Sequence, residues 1–437
     1  MFSVPAIPLY AGPFICPTLL MLMPFSPSAL LRLTALSLSL LLASSLHAAP
    51  AVTPNAKQKS PKKKTPAVAP QDGEFANFGQ WREVAAFIDD MVARNGFDRK
   101  ELNKVFSKTR YVDSAVRLMK PAPPGKPKNW TAYRLRFVEP VRINAGVQFW
   151  NRYEGELARA EEVYGVPAEI IVAIIGVETI YGGNTGNFRV MDAITTLAFD
   201  YPNTPTREAR MQFFRGELEN TLLFARESHI DPFSLLGSYA GAIGLPQFMP
   251  SSIRQYAVDF NGDGKIDLRN EPVDAIGSVA HFLSVHGWRR GLPLAVPVNA
   301  PADDAAAQAW LPLLDKGLNA TYSMDDIKAA GLTPAFTPVF TPVFTPPSMP
   351  ASVPVSATVP GPTQVDATAI TGPADNAVVS EAGVLKYGLV DLQNGNGPTE
   401  YWLGTDNFFA ITKYNRSYFY AMSVVDLGRT IKAARAK

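Results

Sequence analysis

The sequence predicts an α+β chain, mainly helical, with a small β-containing region late in the chain. Three observations predict it. Apolar residues recur at helical spacing through most of residues 74–334. One stretch, Val166 to Gly182, is apolar on nearly every side and belongs inside a helical core. Strand-like runs come late, at Val384 to Leu392 and Tyr401 to Leu403. Of the 437 residues, 47% are apolar and 18% charged, a composition that excludes global disorder. The formal net charge of +2 argues against a nucleic-acid partner, which calls for a strong basic excess.

The first elements are not fold. Residues 1–49 read as an export signal: Arg32, then apolar Leu33 to Leu42, then the small-residue segment Ala43 to Ala49. The apolar run is short for a membrane span, so membrane contact is expected only through an uncleaved signal. Cys16, the one cysteine, lies within this segment and lacks the small residues that precede a lipid-modified cysteine. The mature chain would carry no thiol, which fits an exported protein but does not prove export. Residues 50–73 form a linker rich in Lys, Pro, Ala and Gln. Its run Lys57, Lys59, Lys62, Lys63 and Lys64 reads as a solvated charge cluster.

Folded sequence begins at Glu74. Trp81, Val84, Phe87, Ile88 and Met91 share a helical face, and Asp98 can cap the next helix, which carries Leu102, Val105 and Phe106. Pro121 to Pro127 is a loop. Trp130, Tyr133 and Phe137 share a face, and Val147 to Tyr164 leads into the central helix. Pro167 suits the first helical position, where no N–H is needed. The apolar run Ile170 to Val177 ends at a single acid, Glu178, ahead of the breaker pair Gly182-Gly183. Ile171, Ile174 and Ile175 lie on or near the same face as that acid. Burial there would raise its pKa toward neutrality, as a general acid requires. Spacing alone leaves a second reading open: a helix end whose acid is paired with an Arg or capped by a neighbour.

Val190 to Phe199 and Phe213 to Ala225 read as helices on either side of a proline-broken turn. Leu235 to Gln255 is crowded with small residues, and Gly237, Gly241 and Gly244 let a backbone approach another chain or a ligand closely. Ser251 and Ser252 can cap the helix carrying Tyr256. Residues 259–274 open like an EF-hand loop: oxygen side chains at Asp259, Asn261 and Asp263, Gly264 at the sharp turn, and the Lys265 carbonyl next. The twelfth position is Asn270, not the customary Glu, so Asp274 or Glu271 would have to close the site. Such a density of oxygens suits Ca2+; an Asx-rich turn without metal is the alternative. Pro297 to Leu332 is less regular, with short helices at Ala305 to Leu311 and after Ser323. Residues 335–377 carry the repeat FTPVFTPVFTPP and a further Pro-rich tract that suits neither helix nor sheet. Because order resumes afterwards, the tract reads as an insertion, with residues 378–437 completing the fold. Asn407 to Asn415 reads as a strand or loop edge, and Tyr418 to Ala433 as a closing helix.

Four stretches together resemble the lytic murein transglycosylases of the B type. They are GVETIYG around Glu178, GSYAGAIGLPQFMPSS around Ser238, the DFNGDG loop with VDAIGSVAHFLSVHGW, and ITKYNRS. The resemblance runs from about Glu74 to Lys437, apart from the Pro-rich tract. It implies a lysozyme-like catalytic core over 74–334 and 378–437, flanked by a helical region and a small β-containing one. It implies cleavage of peptidoglycan between N-acetylmuramic acid and N-acetylglucosamine, leaving 1,6-anhydromuramic acid ends, in cell-wall turnover. By position Glu178 matches the acid/base. Ser238 and Gln247 match residues lining the cleft, and Tyr414, Asn415 and Tyr420 match the sugar-contacting stretch. Tyr133, within NWTAYRLRF, matches an aromatic wall. Asp259, Asn261, Asp263, Lys265 and Asp274 match the family's calcium ligands, although the loop here is slightly longer. A periplasmic monomer acting on glycan strands, with no organic cofactor, is the corresponding expectation. The rivals are a goose-type lysozyme hydrolase on a similar core, a non-catalytic wall-binding protein, and a calcium-dependent structural module.

Overall fold

The computed structural model describes residues 78–335 and 385–437, apart from 122–124, 126, 302, 315 and 316. The export signal, the lysine linker and nearly all of the Pro-rich tract lie outside the described residues.

Helices α1 (Arg82–Asn95), α2 (Arg99–Lys108) and α3 (Asp113–Leu118) open the described chain. Asp98 caps α2 as expected, accepting the Glu101 N–H. The short α4 (Trp130–Arg134) is capped by Asn129. Next come α5 (Pro140–Arg152), capped by Glu139 with proline in its first turn, and α6 (Glu154–Tyr164). The run expected over Val147 to Tyr164 is therefore two helices, broken at Tyr153. Helix α7 (Ala168–Thr179) is the central one; of its residues only Glu169 and Glu178 are not buried. Pro167 stands one position outside it, as the cap residue, because its backbone is extended at ψ 141°. Against α7 pack α5, α6, α11 and α15. The approach of α15 is close: a methyl on Gly428 would lie 2.7 Å from the Glu169 carbonyl oxygen.

A two-residue strand β1 (Phe188–Arg189) precedes α8 (Val190–Phe199), and α9 (Arg207–Glu227) follows. Strand β2 (Leu236–Gly237) pairs antiparallel with β1, which pins the small-residue stretch beside the loop that follows α7. Helix α10 (Pro250–Tyr256) begins at Pro250 with Met249 as an uncapped lead. The expected serine cap is absent because Ser251 is used otherwise: its hydroxyl donates to Glu217 (2.7 Å) on α9. Helix α11 (Pro272–Val285) starts two residues before Asp274, which faces back into the preceding loop.

The remaining elements are β3 (Ala295–Asn299), α12 (Asp304–Trp310), α13 (Met324–Ala329), β4 (Thr333–Pro334), β5 (Gly388–Asn394), β6 (Gly397–Gly404), α14 (Asp406–Tyr414) and α15 (Tyr418–Arg435). Ser323 and Asp326 form a reciprocal capping box on α13. One antiparallel sheet, ordered β4-β3-β6-β5, joins strands from both sides of residues 336–384. Its own small core holds Trp310, Ile327, Leu332, Tyr387 and Leu403. Asn407 to Tyr414 is helical, which corrects the strand or loop edge expected there. Phe, Ile, Thr and Tyr favour strands locally, but as a helix they bury Phe408, Phe409, Ile411 and Thr412 together.

Candidate active site

Glu178 lies in the last turn of α7, partly open to solvent while its neighbours Val177 and Thr179 are buried. Burial pushes its carboxyl up from an ordinary 4.5 to about 7, and the hydrogen bond from Tyr420 partly offsets that. The Tyr420 hydroxyl donates to Glu178 Oε1 at 2.6 Å, from a residue 242 positions later. No other charged group contributes to the shift. Among the described residues, the Arg partner allowed by the alternative reading of this acid is therefore not there.

Two tyrosines wall the acid. Tyr420 is 2% exposed and stacks on Tyr414, with centroids 6.3 Å apart and planes 13° apart. Tyr414 packs on Phe248 (5.7 Å) and Phe282 (5.0 Å), and its hydroxyl donates to the Pro246 carbonyl. The buried phenols of both are raised well above their ordinary value, with the Glu178 charge adding to burial. Both therefore stay neutral hydrogen-bond donors. Tyr133 lies close enough to Tyr420 to raise it further, and packs against Phe137 (5.2 Å) and Phe419 (5.4 Å). Asn415 directly follows α14 and its carbonyl accepts the Ser417 N–H (2.7 Å).

On the other side runs the glycine-rich loop. Ser238 is 1% exposed, and its hydroxyl oxygen accepts the N–H groups of Ala242 (2.9 Å) and Ala240 (3.3 Å). It thus shapes the turn from within. Gln247 is half-buried in a left-handed conformation, φ 52°. Its amide donates to Gly244 O (2.9 Å) and Thr185 O (3.3 Å), tying the loop to the chain after Glu178. Sequence reasoning missed Thr179, whose hydroxyl donates to Leu245 O (2.9 Å) and accepts the Gly182 N–H (3.1 Å). Its place beside the acid was the available signal.

The loop at 259–274 is organised by its carboxylates. Asp259 accepts from Gly262 (2.7 Å), Asp263 (3.1 Å) and Gly264 (2.7 Å). Asp263 accepts from Lys265 (2.9 Å), and Asn261 from Asp263 (3.0 Å). Asp274, 1% exposed, takes Phe260 (2.9 Å) and Asn261 (3.3 Å) on Oδ1 and Asp267 (2.9 Å) on Oδ2. Burial raises the Asp274 carboxyl, its three backbone hydrogen bonds offset part of that, and the nearby Asp259 charge adds the least of these effects, upward. Among the described residues, no three acidic or histidine side chains gather tightly enough to hold an ion. A cavity of about 600 Å³ opens elsewhere, on the sheet beside Trp310, Tyr401 and Trp402. None of the expected site residues line it.

Residues 79–429 match the transglycosylase SLT domain family. The chain is 41% identical over 373 residues to the membrane-bound lytic murein transglycosylase B of Escherichia coli K12, covering 84% of this chain and 86% of that protein. Two solved structures are similar along their whole length. The soluble lytic transglycosylase SltB1 of Pseudomonas aeruginosa superposes with a TM-score of 0.64 at 40% identity over 81% of this chain. The Escherichia coli lytic transglycosylase Slt35 in complex with calcium does so with 0.63 at 39% identity over 85%.

Proposed function

This chain belongs to the SLT-domain transglycosylases, and from that premise we propose that Glu178 is the single acid/base of a peptidoglycan lytic transglycosylase. The enzyme cleaves the β-1,4 bond between N-acetylmuramic acid and N-acetylglucosamine and leaves 1,6-anhydromuramic acid ends. Protonated Glu178 donates to the glycosidic oxygen as that bond breaks, and the muramic ring takes on oxocarbenium character. The carboxylate then removes the proton of the C6 hydroxyl, whose oxygen closes onto C1. The proton gained equals the proton given, and no water is consumed.

The observation that carries this reading is the solitary state of the acid. A hydrolase needs a second carboxylate, as base or as nucleophile. Burial accounts for the raised pKa of Glu178, and no neighbouring carboxylate contributes to it. Tyr420 occupies Oε1, which leaves Oε2 to carry the proton. The same bond steadies the carboxylate formed in the first step. Tyr133, Ser238, Gln247, Tyr414 and Asn415 form the walls that hold the glycan strand. Ser238 does so through the turn it fixes. Mass spectrometry of digested wall is the test: anhydro ends are expected, and reducing ends would mean a hydrolase. A Glu178→Gln variant should bind wall without cutting it.

Calcium belongs to the same proposal. Asp259, Asn261, Asp263 and the Lys265 carbonyl supply hard oxygens at EF-hand spacing, and Gly262 and Gly264 turn left-handed between them, at φ 78° and 86°. Asp274 Oδ2 accepts one hydrogen bond and keeps a lone pair for the ion. An ion there would relieve the repulsion between Asp259 and Asp274. The site of action is the periplasm, reached through the export signal. Among the described residues no helix is long and apolar enough to cross a membrane.

A further inference from the structure

We infer that Tyr181 is a positioning residue for Glu178: its ring is a strut, seated in a notch between two helices, that holds the end of α7 in place. The inference rests on Glu178 being the acid/base.

Two residues after that acid the backbone begins something unusual. Ile180, Tyr181 and Gly182 are successively left-handed, at φ 53°, 55° and 90°. Glycine takes that conformation freely, whereas an isoleucine and a tyrosine adopt it only when something holds them there. The turn folds the Tyr181 side chain back along α7. Its ring packs on Phe149 of α5, with centroids 5.1 Å apart. Its hydroxyl ends where α5 and α7 both carry glycine. A methyl on Gly146 would lie 2.5 Å from that oxygen, and one on Gly176 would lie closer still. Any side chain at either position would evict the phenol.

The notch has an electrostatic side as well. The Gly176 carbonyl accepts both the Ile180 N–H (3.1 Å) and Nε of the buried Arg142 (2.8 Å). Gly176 is thus the point where α5, the left-handed turn and the tyrosine strut meet, two residues before Glu178. The Tyr181 hydroxyl itself is buried and has no hydrogen-bond partner among the described residues. An unpaired buried hydroxyl is a cost, so it is the ring, not the hydroxyl, that does the positioning. The sequence accommodates the ring with two glycines, each of which weakens its own helix.

Removing the strut should let the last turn of α7 relax, which admits water to Glu178. The experiment compares Tyr181→Leu, Tyr181→Phe and Gly176→Ala with the parent enzyme, with Glu178→Gln as reference. For Tyr181→Leu, kcat should fall about tenfold or more with KM little changed, because wall contacts are untouched. The alkaline limb of its pH profile should move about one unit lower, as a better-solvated carboxyl loses its proton sooner. Tyr181→Phe, which keeps the ring, should retain kcat within about threefold and the parent pH profile. Gly176→Ala should show the same acid shift as Tyr181→Leu, and combining it with Tyr181→Phe should recover part of the loss. That pair keeps the test open should the leucine variant not fold.

A loss in Tyr181→Leu and Gly176→Ala proportional to unfolded protein, with no shift in pH profile, overturns the inference. So does a phenylalanine variant as impaired as the leucine one. If Glu178→Gln stays active, the acid/base reading itself has failed. If it is dead while Gly176→Ala behaves like the parent, only the strut has failed.

Discussion

On the acid/base role proposed for Glu178, its raised carboxyl ties folding and turnover to the same proton. The Glu178 pKa is raised on folding, from 4.5 to about 7. Its share of stability is therefore complete below about 4.5 and is lost as pH rises through about 7, in total about 3 kcal/mol. Melting temperature should fall over that window, and Glu178→Gln, which has no proton to lose, should flatten the dependence. At pH about 8 that variant should be the more stable protein by about 2 kcal/mol, while wall digestion drops by about a thousandfold or more. Turnover of the parent should decline above pH about 7, since the first step needs the protonated acid. Tyr420→Phe makes an opposite test. The lost hydrogen bond stabilised the carboxylate, so the pKa should rise and the alkaline limb should move upward by about half a unit to one unit. A downward shift would mean that water had entered instead.

At the scale of elements, the 259–274 loop and α11 invite dissection. Asp274 satisfies three backbone N–H groups from a buried position, so Asp274→Ala should cost about 3 kcal/mol whether or not calcium is present. Asp263→Ala should cost little in chelator but abolish the rise in melting temperature that added calcium gives the parent. A parent melting curve that does not respond to calcium or chelator would end the metal proposal. Gly277→Ala should also destabilise, by about 1–3 kcal/mol, because its methyl would press into the Phe260 ring.

These elements also show where the sequence was readable. Helices α1 and α2 announced themselves through apolar spacing, with an Asp98 cap as well for α2, because their burial follows their own periodicity, whereas α8 is buried at every position and was read from its apolar run. The raised carboxyl of Glu178 was readable because a lone acid closes an apolar run. The α14 segment was not: its local preference is for strands, and only packing against distant residues makes it a helix. Strand β3 was hidden for a related reason, since its pairing with β6 spans about a hundred residues and leaves no local mark. Nor could spacing reveal that Ser238 faces its own turn or that Ser251 serves Glu217, because both depend on which chains come close in space.

For the whole molecule, the sheet is the feature that integrates the chain. Strands β3 and β4 precede residues 336–384 and β5 and β6 follow them, yet all four share one ladder. Replacing 336–384 by a flexible glycine-serine linker of sufficient reach should leave melting temperature and wall digestion within about twofold of the parent. A collapse in either would show that the tract is part of the working fold. The pairing of Glu178 with Tyr420 has a different kind of reach. A ribosome has to make 242 further residues after the acid before its partner exists. Until α15 has emerged and packed onto α7, the nascent chain leaves Glu178 without this hydrogen bond. On the acid/base role proposed for Glu178, the surroundings that tune this acid are therefore among the last parts of the chain to be completed.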